Sequence, residues 1–555
     1  MKFKTALIVI STVICTVSCN NGAKDEEAIE NGYNGCFNVP EVSNPVNKDY
    51  VSDKLTTFKE VKLESDMEGF TDNDKKMIDI FRQVGEIIDG LYWKQAIGQR
   101  DRFLESIKDE NTRKYAMMNY GPWDRLNNNF PFIEGVGEKP AGANFYPTDM
   151  TKEEFAGLDD SNKTSGYTII RRDKNGKLRS IWYHDIYKSE LTRIANLLRE
   201  AAEYSDDANF KEYLKQRANS LLTSDYQKSD FAWMKVRDSR LDLVVGPIEN
   251  YEDELYGYKC AFESFILVKD AEWSKNLSKY VTMLPELQNG LPVPDKYKKE
   301  VPGTDSDINV YDVLLYSGDC NAGGKTIAIN LPNDEEVQLT CGSRKLQLKN
   351  TMKAKFDNIV VPIAELVIDE SQLSHVKFDA FFENVTFHEV GHGLGIKNTV
   401  DGSSTVREAL KEQYSAIEES KADIMGLYLV AKLYEKGEIS SGELMDNFVT
   451  FTAGIFRSCR FGASDAHGKA NMLIFNFFED AGAFTRNPET GKYTVNFDKM
   501  YKAMIASVEQ ILTIQGDGSY EAAKKLVETQ GVIRPQLQAD LDRINASDIP
   551  VDIVF

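Results

Sequence analysis

Two periodicities of hydrophobic residues run through the chain and predict helices in some segments and strands in others. After Thr71 and Asp72, either of which suits a helix N-cap, apolar residues recur at three- and four-residue spacing, at Met77, Phe81, Val84, Ile88 and Leu91. This spacing places them on one face of a helix. We therefore predict a helix whose apolar stripe lies in a core.

Strand patterns alternate with such helices in the earlier part of the chain. The segments Tyr167–Arg171 and Leu178–Tyr183 alternate around Asn175-Gly176, a pair that accepts the positive φ of a tight turn, and predict a hairpin. Residues 100–165 are punctuated by prolines and predict loops. A further β-rich segment is predicted from Lys325 to Leu348.

A shift from mixed to helical patterns predicts an α+β protein with two lobes and a cleft between them. Nearly everything from Asp379 to Leu526 has helical periodicity. We expect a mixed α/β lobe and a mostly helical catalytic lobe. The predicted divisions are a signal peptide at 1–19, a tether at 20–50, the mixed lobe at 51–270 and, β-rich, at 311–360, and the helical lobe at 271–310 and 361–555.

The N-terminal segment has the pattern of a bacterial lipoprotein signal. A basic start precedes the apolar stretch Ala6–Val17, which is too short to span a membrane, and Ser18 precedes Cys19. Cleavage would leave Cys19 lipidated, and Asn20 rather than Asp at the next position favours the outer membrane. We predict an exported protein anchored by lipid in the envelope of a Gram-negative bacterium; the alternative is an ordinary secretory signal.

Charge excludes one class of ligand. Lys and Arg number 66 against 87 Asp and Glu, which gives a net charge of −21. Such a chain repels a phosphate backbone, so nucleic acid is not an expected partner.

Cysteines in an exported protein raise the question of disulfides. No two cysteines have CxxC spacing, so a thiolate metal site is not expected. Cys320 and Cys341 flank a segment with a hairpin-like pattern, and we predict a bridge between them.

The strongest chemical signal is the HExxH motif in Phe387-His388-Glu389-Val390-Gly391-His392. A helix places residues four apart on one face, so both imidazoles can bind one Zn²⁺ while Glu389 acts as a general base towards water. Gly393 and Gly395 are suited to end that helix. The motif predicts a zinc centre with one ion per chain.

A second predicted helix supplies carboxylates for a third ligand position. It contains Glu418-Glu419-Ser420-Lys421-Ala422-Asp423, in which Glu419 and Asp423 share a face. One of these carboxylates can bind zinc while the other accepts the second ring N–H of a ligand histidine. Their spacing does not decide between them.

The pairing of these two helices resembles the dipeptidyl peptidase III family of zinc metallopeptidases. Three further segments are similar to motifs of that family and stand in the same order, namely Gly246–Tyr251, Ile329–Asp334 and Asp465–His467. Members typically carry HExxxH, and the shorter motif here is closer to a branch that includes a plant Nudix hydrolase fusion. Asn471 stands where members often have Arg.

The resemblance implies how the metal would be held. Zinc would be bound by His388, His392 and Glu419, with Glu418 and Asp423 supporting the histidines. The resemblance also implies a small β-barrel within the mixed lobe.

The resemblance further implies an N-terminal exopeptidase. Glu389 would act as the base, Tyr251 would polarise the scissile carbonyl and His467 would stabilise the transition state. Oligopeptides would be the substrates, cleaved to release dipeptides, and three residues would hold the free amino group: Glu249, Asn330 and Asn333. Two alternatives stay open, a zinc endopeptidase or amidohydrolase of another register and a non-catalytic zinc lipoprotein that binds peptides.

Overall fold

The computed structural model describes residues 47–300, 307–460, 462 and 466–555. The predicted signal peptide with Cys19, nearly all of the predicted tether, and Asp465 lie outside these residues. The end of the tether region is helical, because helix α1 begins at Lys48 with the Asn47 side chain as its cap. Within the described ranges, no helix has both the length and the apolar character needed to cross a membrane.

Helices alternate with strands in the first half of the chain and dominate the second half. In chain order the α-helices are α1 Lys48–Thr56, α2 Asp72–Ala96, α3 Arg100–Ser106, α4 Glu110–Asn119, α5 Lys152–Gly157, α6 Tyr183–Ile186, α7 Lys188–Tyr204, α8 Ala208–Leu221, α9 Gln227–Trp233, α10 Ala271–Val281, α11 Leu284–Asn289, α12 Glu335–Cys341, α13 Lys349–Lys355, α14 Val361–Val367, α15 Phe378–His392, α16 Val406–Leu410, α17 Tyr414–Glu435, α18 Leu444–Cys459, α19 Ala466–Asp480, α20 Phe497–Gly516, α21 Tyr520–Gln530 and α22 Pro535–Asn545.

Within the described ranges, the strands form one five-stranded sheet and four two-stranded pairs. They are β1 Phe58–Glu60, β2 Trp123–Asp124, β3 Phe130–Pro131, β4 Thr168–Arg172, β5 Leu178–Trp182, β6 Leu241–Pro247, β7 Phe262–Asp270, β8 Asp307–Gly318, β9 Ala328–Leu331, β10 Arg344–Leu348, β11 Phe484–Arg486, β12 Tyr493–Val495 and β13 Asp552–Val554.

The five-stranded sheet has the order β6-β7-β8-β10-β9. Strands β8 and β10 are parallel, and the other neighbours are antiparallel. Its two outer strands do not pair with each other among the described residues, so the predicted small barrel is not confirmed. Strand β9 lies at an edge of this sheet, which leaves one side of its backbone available for another strand.

Two separate hydrophobic cores confirm the predicted α+β architecture with two lobes. The first core contains residues between Val51 and Val268 and between Tyr311 and Leu348. The second contains residues between Leu277 and Val310 and between Met352 and Ile544. The chain therefore crosses between lobes more than once, although the predicted domain limits themselves stay predictions.

Local elements of the first lobe follow the sequence patterns. Thr71 caps α2 in a capping box with Asp74, and the predicted apolar stripe of this helix is buried. The predicted hairpin forms as antiparallel β4 and β5, with Gly176 at φ 77° in the turn. Both predictions are confirmed, because each depends on a pattern within a few residues.

The predicted disulfide is wrong, since Cys320 and Cys341 are both free thiols. The chain between them folds as β9 and then helix α12, of which Cys341 is the last residue, so it is not a hairpin. Cys320 is buried in the turn after β8, where its thiol donates to the carbonyl oxygens of Ser264 and Ser317 at 3.5 and 3.3 Å.

Candidate metal centre

The HExxH motif lies at the end of α15, where this helix crosses α17 at very short range. A Cβ atom on Gly391 would lie 2.8 Å from the carbonyl oxygen of Ala422, and one on Gly426 would lie 2.7 Å from the backbone nitrogen of His388. Side chains do not fit at these separations, so the two glycines allow the backbones to touch. The crossing brings the acidic run of α17 against both histidines.

Helix α15 ends directly after the motif, as the sequence predicts. Gly393 is its C-cap residue and donates its backbone N–H to Val390, and Gly395 follows at φ 90°. His388 and His392, four residues apart, therefore present their rings from the same face of the last turns.

Each histidine of the motif has a carboxylate beside its Nδ1 atom. His388 Nδ1 lies 2.7 Å from Oδ1 of Asp423, and His392 Nδ1 lies 3.0 Å from Oε1 of Glu418. A carboxylate at Nδ1 fixes the orientation of the ring and leaves Nε2 available to a metal. The structure thus places Asp423 and Glu418 behind the rings.

The Nε2 atoms of both rings point towards a single oxygen of Glu419. Oε2 of Glu419 lies 3.4 Å from Nε2 of His388 and 3.8 Å from Nε2 of His392. This oxygen is shielded from solvent and has no hydrogen-bond partner. An orphaned buried carboxylate oxygen is costly, and two imidazole nitrogens with a carboxylate oxygen are a donor set that suits Zn²⁺. These residues fit a zinc ion.

A third imidazole reaches the same oxygen. Nε2 of His467, at the start of α19, lies 3.2 Å from Oε2 of Glu419, and His388, Glu419 and His467 offer ligand atoms within 4.8 Å of one another. The side chain of His467 is 65% exposed, against 12% for His388 and 29% for His392. The two rings of α15 each have a supporting carboxylate, whereas His467 is the most exposed of the three imidazoles.

Negative charge dominates the surroundings of the rings. Burial opposes a charge on His388, but the neighbouring carboxylates, Asp423 foremost, outweigh it and raise the pKa of His388 to about 10. Burial favours a neutral Glu418, yet its contacts with His392 and Lys421 lower the pKa of Glu418 to about 2. Both shifts arise because carboxylates and cationic groups face each other closely here, and carboxylates around two imidazoles favour a cation.

Three residues support the site in the structure but were not predicted to do so from the sequence. Lys421 pairs with Glu418 at 2.8 Å, and Gln515 of α20 donates to the other oxygen of Glu418 at 2.9 Å. Asn471 of α19 donates to Oδ2 of Asp423 at 3.1 Å. Only Lys421 has a local signal, as a lysine within an acidic run on a helix flanked by apolar residues; the other two reach the site from distant segments.

The residues predicted to hold the substrate's amino group lie in the first lobe, and two of them contact each other. Asn333 donates to Oε1 of Glu249 at 3.4 Å and to the carbonyl oxygen of Ile248 at 3.2 Å. Burial raises the pKa of Glu249, and the bond from Asn333 opposes that rise. Tyr251 is 76% exposed, and Asn330 is exposed on β9. The structure brings Glu249 and Asn333 together, whereas no hydrogen bond in the described ranges joins Tyr251 or Asn330 to them.

A cavity of about 380 Å³ lies between the metal centre and the first-lobe segment Lys325–Ala328. It is lined by Ala328 at the start of β9 and by His388, Glu389 and His467. Lys345 of β10 spans the two lobes, because its Nζ donates to the carbonyl oxygen of Glu389 at 2.6 Å. The metal centre therefore faces the beginning of the edge strand.

Comparison with known proteins agrees with this geometry. The model of Peptidase family M49 matches residues 150–403. The solved structure of DPP III (dipeptidyl peptidase III) from Caldithrix abyssi is 40% identical, has a TM-score of 0.87, and covers 90% of this chain and 98% of that one. The chain belongs to peptidase family M49. The dipeptidyl peptidase III from Corallococcus sp. strain EGB is also similar, at 36% identity and a TM-score of 0.77, covering 92% of this chain and 97% of that one.

Two curated proteins match the sequence. Nudix hydrolase 3 of Arabidopsis thaliana is 33% identical over 565 residues, which cover 90% of this chain and 73% of that protein. Dipeptidyl peptidase 3 of Dictyostelium discoideum is 25% identical over 303 residues, 54% of this chain and 41% of that protein. M49 proteins are metallopeptidases, so this chain is a hydrolase that acts on peptides.

Proposed function

We propose that the chain is a zinc-dependent dipeptidyl peptidase that removes dipeptides from the free N-terminus of oligopeptides. The observation that carries this proposal is the placement of the Glu249 carboxylate and Asn333 just beyond one end of edge strand β9, with the metal centre facing the other end. An amino-group site and a hydrolytic site are thus separated along one strand.

Strand β9 supports a defined spacing between the amino group and the scissile bond. An extended peptide can add to the free edge of a sheet through backbone hydrogen bonds. Asn330 and Ala328 are two residues apart, which corresponds to about 7 Å of strand. A peptide whose amine lies at Asn330 and Asn333 would therefore place its second peptide bond near the metal centre.

The site residues have distinct chemical roles in this proposal. Zinc held by His388, His392 and Glu419 would supply Lewis acidity to polarise a carbonyl oxygen. Glu389 accepts a proton from water and delivers it to the leaving amine. His467 donates to the developing oxyanion from the second lobe, and Tyr251 does so from the first lobe.

Protonation favours the role of Tyr251 as a donor. The Glu249 carboxylate, followed by burial, raises the pKa of Tyr251. The hydroxyl therefore stays protonated at neutral pH and able to donate. Loss of one such donor to an oxyanion typically costs ~100- to 1,000-fold in rate.

Glu249 supplies the charge that selects a free amine. An ammonium group entering the cleft loses hydration, and a carboxylate with amide oxygens nearby replaces it. Glu249 holds the amine in the ground state and in the transition state alike, so Glu249→Gln should mainly raise KM. Glu336→Gln, an exposed change on α12 in the first lobe, is the matched control.

The test compares a free pentapeptide with its N-acetylated twin by mass spectrometry of the products. We expect the N-terminal dipeptide from the free peptide and at least a 100-fold slower reaction with the acetylated one, since a buried unpaired carboxylate costs about 3 kcal/mol. Equal cleavage of both peptides, or cuts elsewhere, would reduce the function to that of a zinc peptidase of another register.

We also propose that Cys19 is lipidated and anchors the protein in the cell envelope. This proposal rests on the sequence pattern of the signal, which lies outside the described residues. Fractionation of cells that produce the wild type and Cys19→Ser decides it. We expect the wild type in the membrane fraction and Cys19→Ser outside it, and an unchanged distribution would exclude a lipid anchor.

A further inference from the structure

The cavity between the lobes is strongly polarised. At one side it is lined by the metal-centre residues Glu389 and Asp423. At the other side it is lined by three cationic residues, Lys325, Lys355 and Arg457. The proposed mechanism uses none of these three cations.

Two of the three cations are satisfied by the protein itself. Lys355 pairs with Oδ1 of Asp552 at 2.9 Å and donates to the carbonyl oxygen of Lys325. The backbone N–H of Lys325 donates to Oδ2 of Asp552 at 3.0 Å, and its ammonium group donates to the carbonyl oxygen of Asn321. Asp552 is therefore already shared between them.

Arg457 is the unsatisfied member of the group. It lies near the end of α18, its Nε is shielded from solvent, and that atom has no hydrogen-bond partner. Burial lowers the pKa of Arg457, and the negative charge of Asp552 opposes this effect. A shielded guanidinium N–H group without an acceptor is costly, and it calls for an explanation.

The carboxylates on the far side of the cavity do not provide that acceptor. Asp423 is engaged by His388 at 2.7 Å and by Asn471 at 3.1 Å. Neither Asp423 nor Glu389 forms an ion pair with Arg457 in the described part of the chain. Arg457 thus lines the cavity, and no carboxylate among the described residues forms an ion pair with it.

The direction of the bound peptide points to the source of that anion. If the amine lies beyond the C-terminal end of β9, an antiparallel peptide runs towards Ala328 and then past Ile327 to Lys325, all of which line the cavity. Residues after the scissile bond therefore enter the basic half, where Phe451 and Ile455 of α18 supply an apolar wall.

We propose that Arg457, supported by Lys355 and Lys325, binds a carboxylate on the leaving half of the peptide. The carboxylate is either the C-terminal group of a tri- or tetrapeptide or an acidic side chain just after the scissile bond. The proposal deepens the proposed peptidase function and rests on it for the direction of the peptide. It makes short peptides with free C-termini, or acidic ones, the preferred substrate class.

The test uses matched peptides that differ only in charge. One pair is an alanine-rich tetrapeptide as the free acid and as the C-terminal amide. The other pair is an amidated hexapeptide with Glu or Gln at the third position. We expect wild-type kcat/KM to favour the charged member of at least one pair by about 10- to 100-fold, the range for a charge-assisted hydrogen bond. A preference within the first pair would identify the C-terminal carboxylate as the bound group. A preference within the second pair would identify an acidic side chain.

Variants then assign the effect to Arg457. Arg457→Met should abolish the preference while cleavage of the uncharged members changes little, and Arg457→Lys should retain part of it. Arg82→Met, a change on the exposed face of α2, should behave as the wild type. Equal cleavage of charged and uncharged peptides by the wild type would overturn the proposal even if Arg457→Met did not fold. A preference that survives in Arg457→Met, or equal losses on all four peptides, would also overturn it.

Calorimetric binding separates this inference from the proposed function. If the wild type released no dipeptide from any peptide, the peptidase register would be wrong, yet affinity for the acid and amide forms could still be compared. Tighter binding of the acid that disappears in Arg457→Met would keep the carboxylate site. Equal binding of the acid and the amide by the wild type would exclude the carboxylate site.

Discussion

At the residue scale, each histidine of the HExxH motif is held by its own carboxylate. Asp423 holds His388, and Glu418 holds His392, so the protein itself fixes the orientation of both rings. Glu418 is held in turn by Lys421 and Gln515. A metal bound here would not have to immobilise the side chains, and less of its binding energy would be lost to ordering them.

Zinc content should follow this division between ligands and supports. We expect one zinc per chain, its loss in His388→Ala and Glu419→Ala, and its retention in Glu389→Gln, because the proposed mechanism uses Glu389 as a base and not as a ligand. Glu418→Ala should weaken zinc affinity by about 10- to 100-fold, as is usual for residues that orient a ligand. Elemental analysis measures the zinc content of each variant, and chelator competition measures its zinc affinity. Zinc retained in Glu419→Ala but lost in His467→Ala would place the metal on the other imidazole.

Glu252, buried in the first lobe, should make the fold acid-sensitive. Burial would raise the pKa of Glu252, but Arg125 and Lys139 outweigh it and lower that pKa to about 2. Because the folded pKa lies below the unfolded value of 4.5, the stabilisation is complete above pH 4.5 and is lost as the pH falls towards 2. Glu252→Gln should lower the free energy of unfolding at pH 7 by about 3–5 kcal/mol.

Denaturant unfolding at pH 7 and at pH 3 measures this effect of Glu252. The difference in stability between Glu252→Gln and the wild type should shrink at the lower pH. Glu254→Gln is the control, since Glu254 also contacts Lys139 at 3.2 Å but is 48% exposed. A difference between wild type and Glu252→Gln that did not change with pH would contradict the assigned shift.

At the element scale, the metal centre depends on how closely α15 and α17 cross. Gly426→Ala would place a Cβ atom 2.7 Å from the backbone nitrogen of His388, where no side chain can move aside. We expect destabilisation by about 1–3 kcal/mol and weaker zinc binding. Gly90→Ala, at an open position of helix α2, should instead stabilise by about 0.5–1 kcal/mol. Thermal unfolding measures the stability of both variants, and zinc titration measures their affinity. If Gly426→Ala were as neutral as Gly90→Ala, α15 and α17 could move apart without loss of stability.

An element can be predicted from the sequence when the residues that determine it lie within a few positions of one another. The HExxH motif, the cap at Thr71 and the turn at Gly176 each depend on residues within a few positions, and each predicts its element correctly. The disulfide prediction failed because spacing cannot show that α12 separates Cys320 from Cys341. Gln515 could not be predicted at the site, because only tertiary packing brings α20 to Glu418.

At the scale of the whole molecule, one lysine joins the sheet of the first lobe to the catalytic helix of the second. The carbonyl oxygen of Glu389 lies in the last turn of α15, where carbonyl groups have no partner within the helix. Lys345 of β10 satisfies it at 2.6 Å, and a cation at a helix C-terminus also suits the helix dipole. The same bond thus caps the helix and connects the lobes.

Removal of this link should loosen the coupling between the lobes. We expect Lys345→Met to lower the free energy of unfolding by about 1–3 kcal/mol, the cost of a charged hydrogen bond. Calorimetry should show a broader transition or two transitions, because each lobe has its own core. Lys353→Met, an exposed change on α13, is the control. A single sharp transition at the wild-type temperature would show that other contacts suffice.

The pairing of β1 with β13 has a consequence for the order in which the molecule can assemble. Phe58–Glu60 lies parallel to Asp552–Val554, so a strand near the beginning of the described chain needs a partner almost five hundred residues later. Closing so long a loop is costly until the intervening chain is compact. During synthesis from the N-terminus, β1 must wait unpaired while the second lobe is made. The first lobe is therefore the first to be synthesised and the last to be completed.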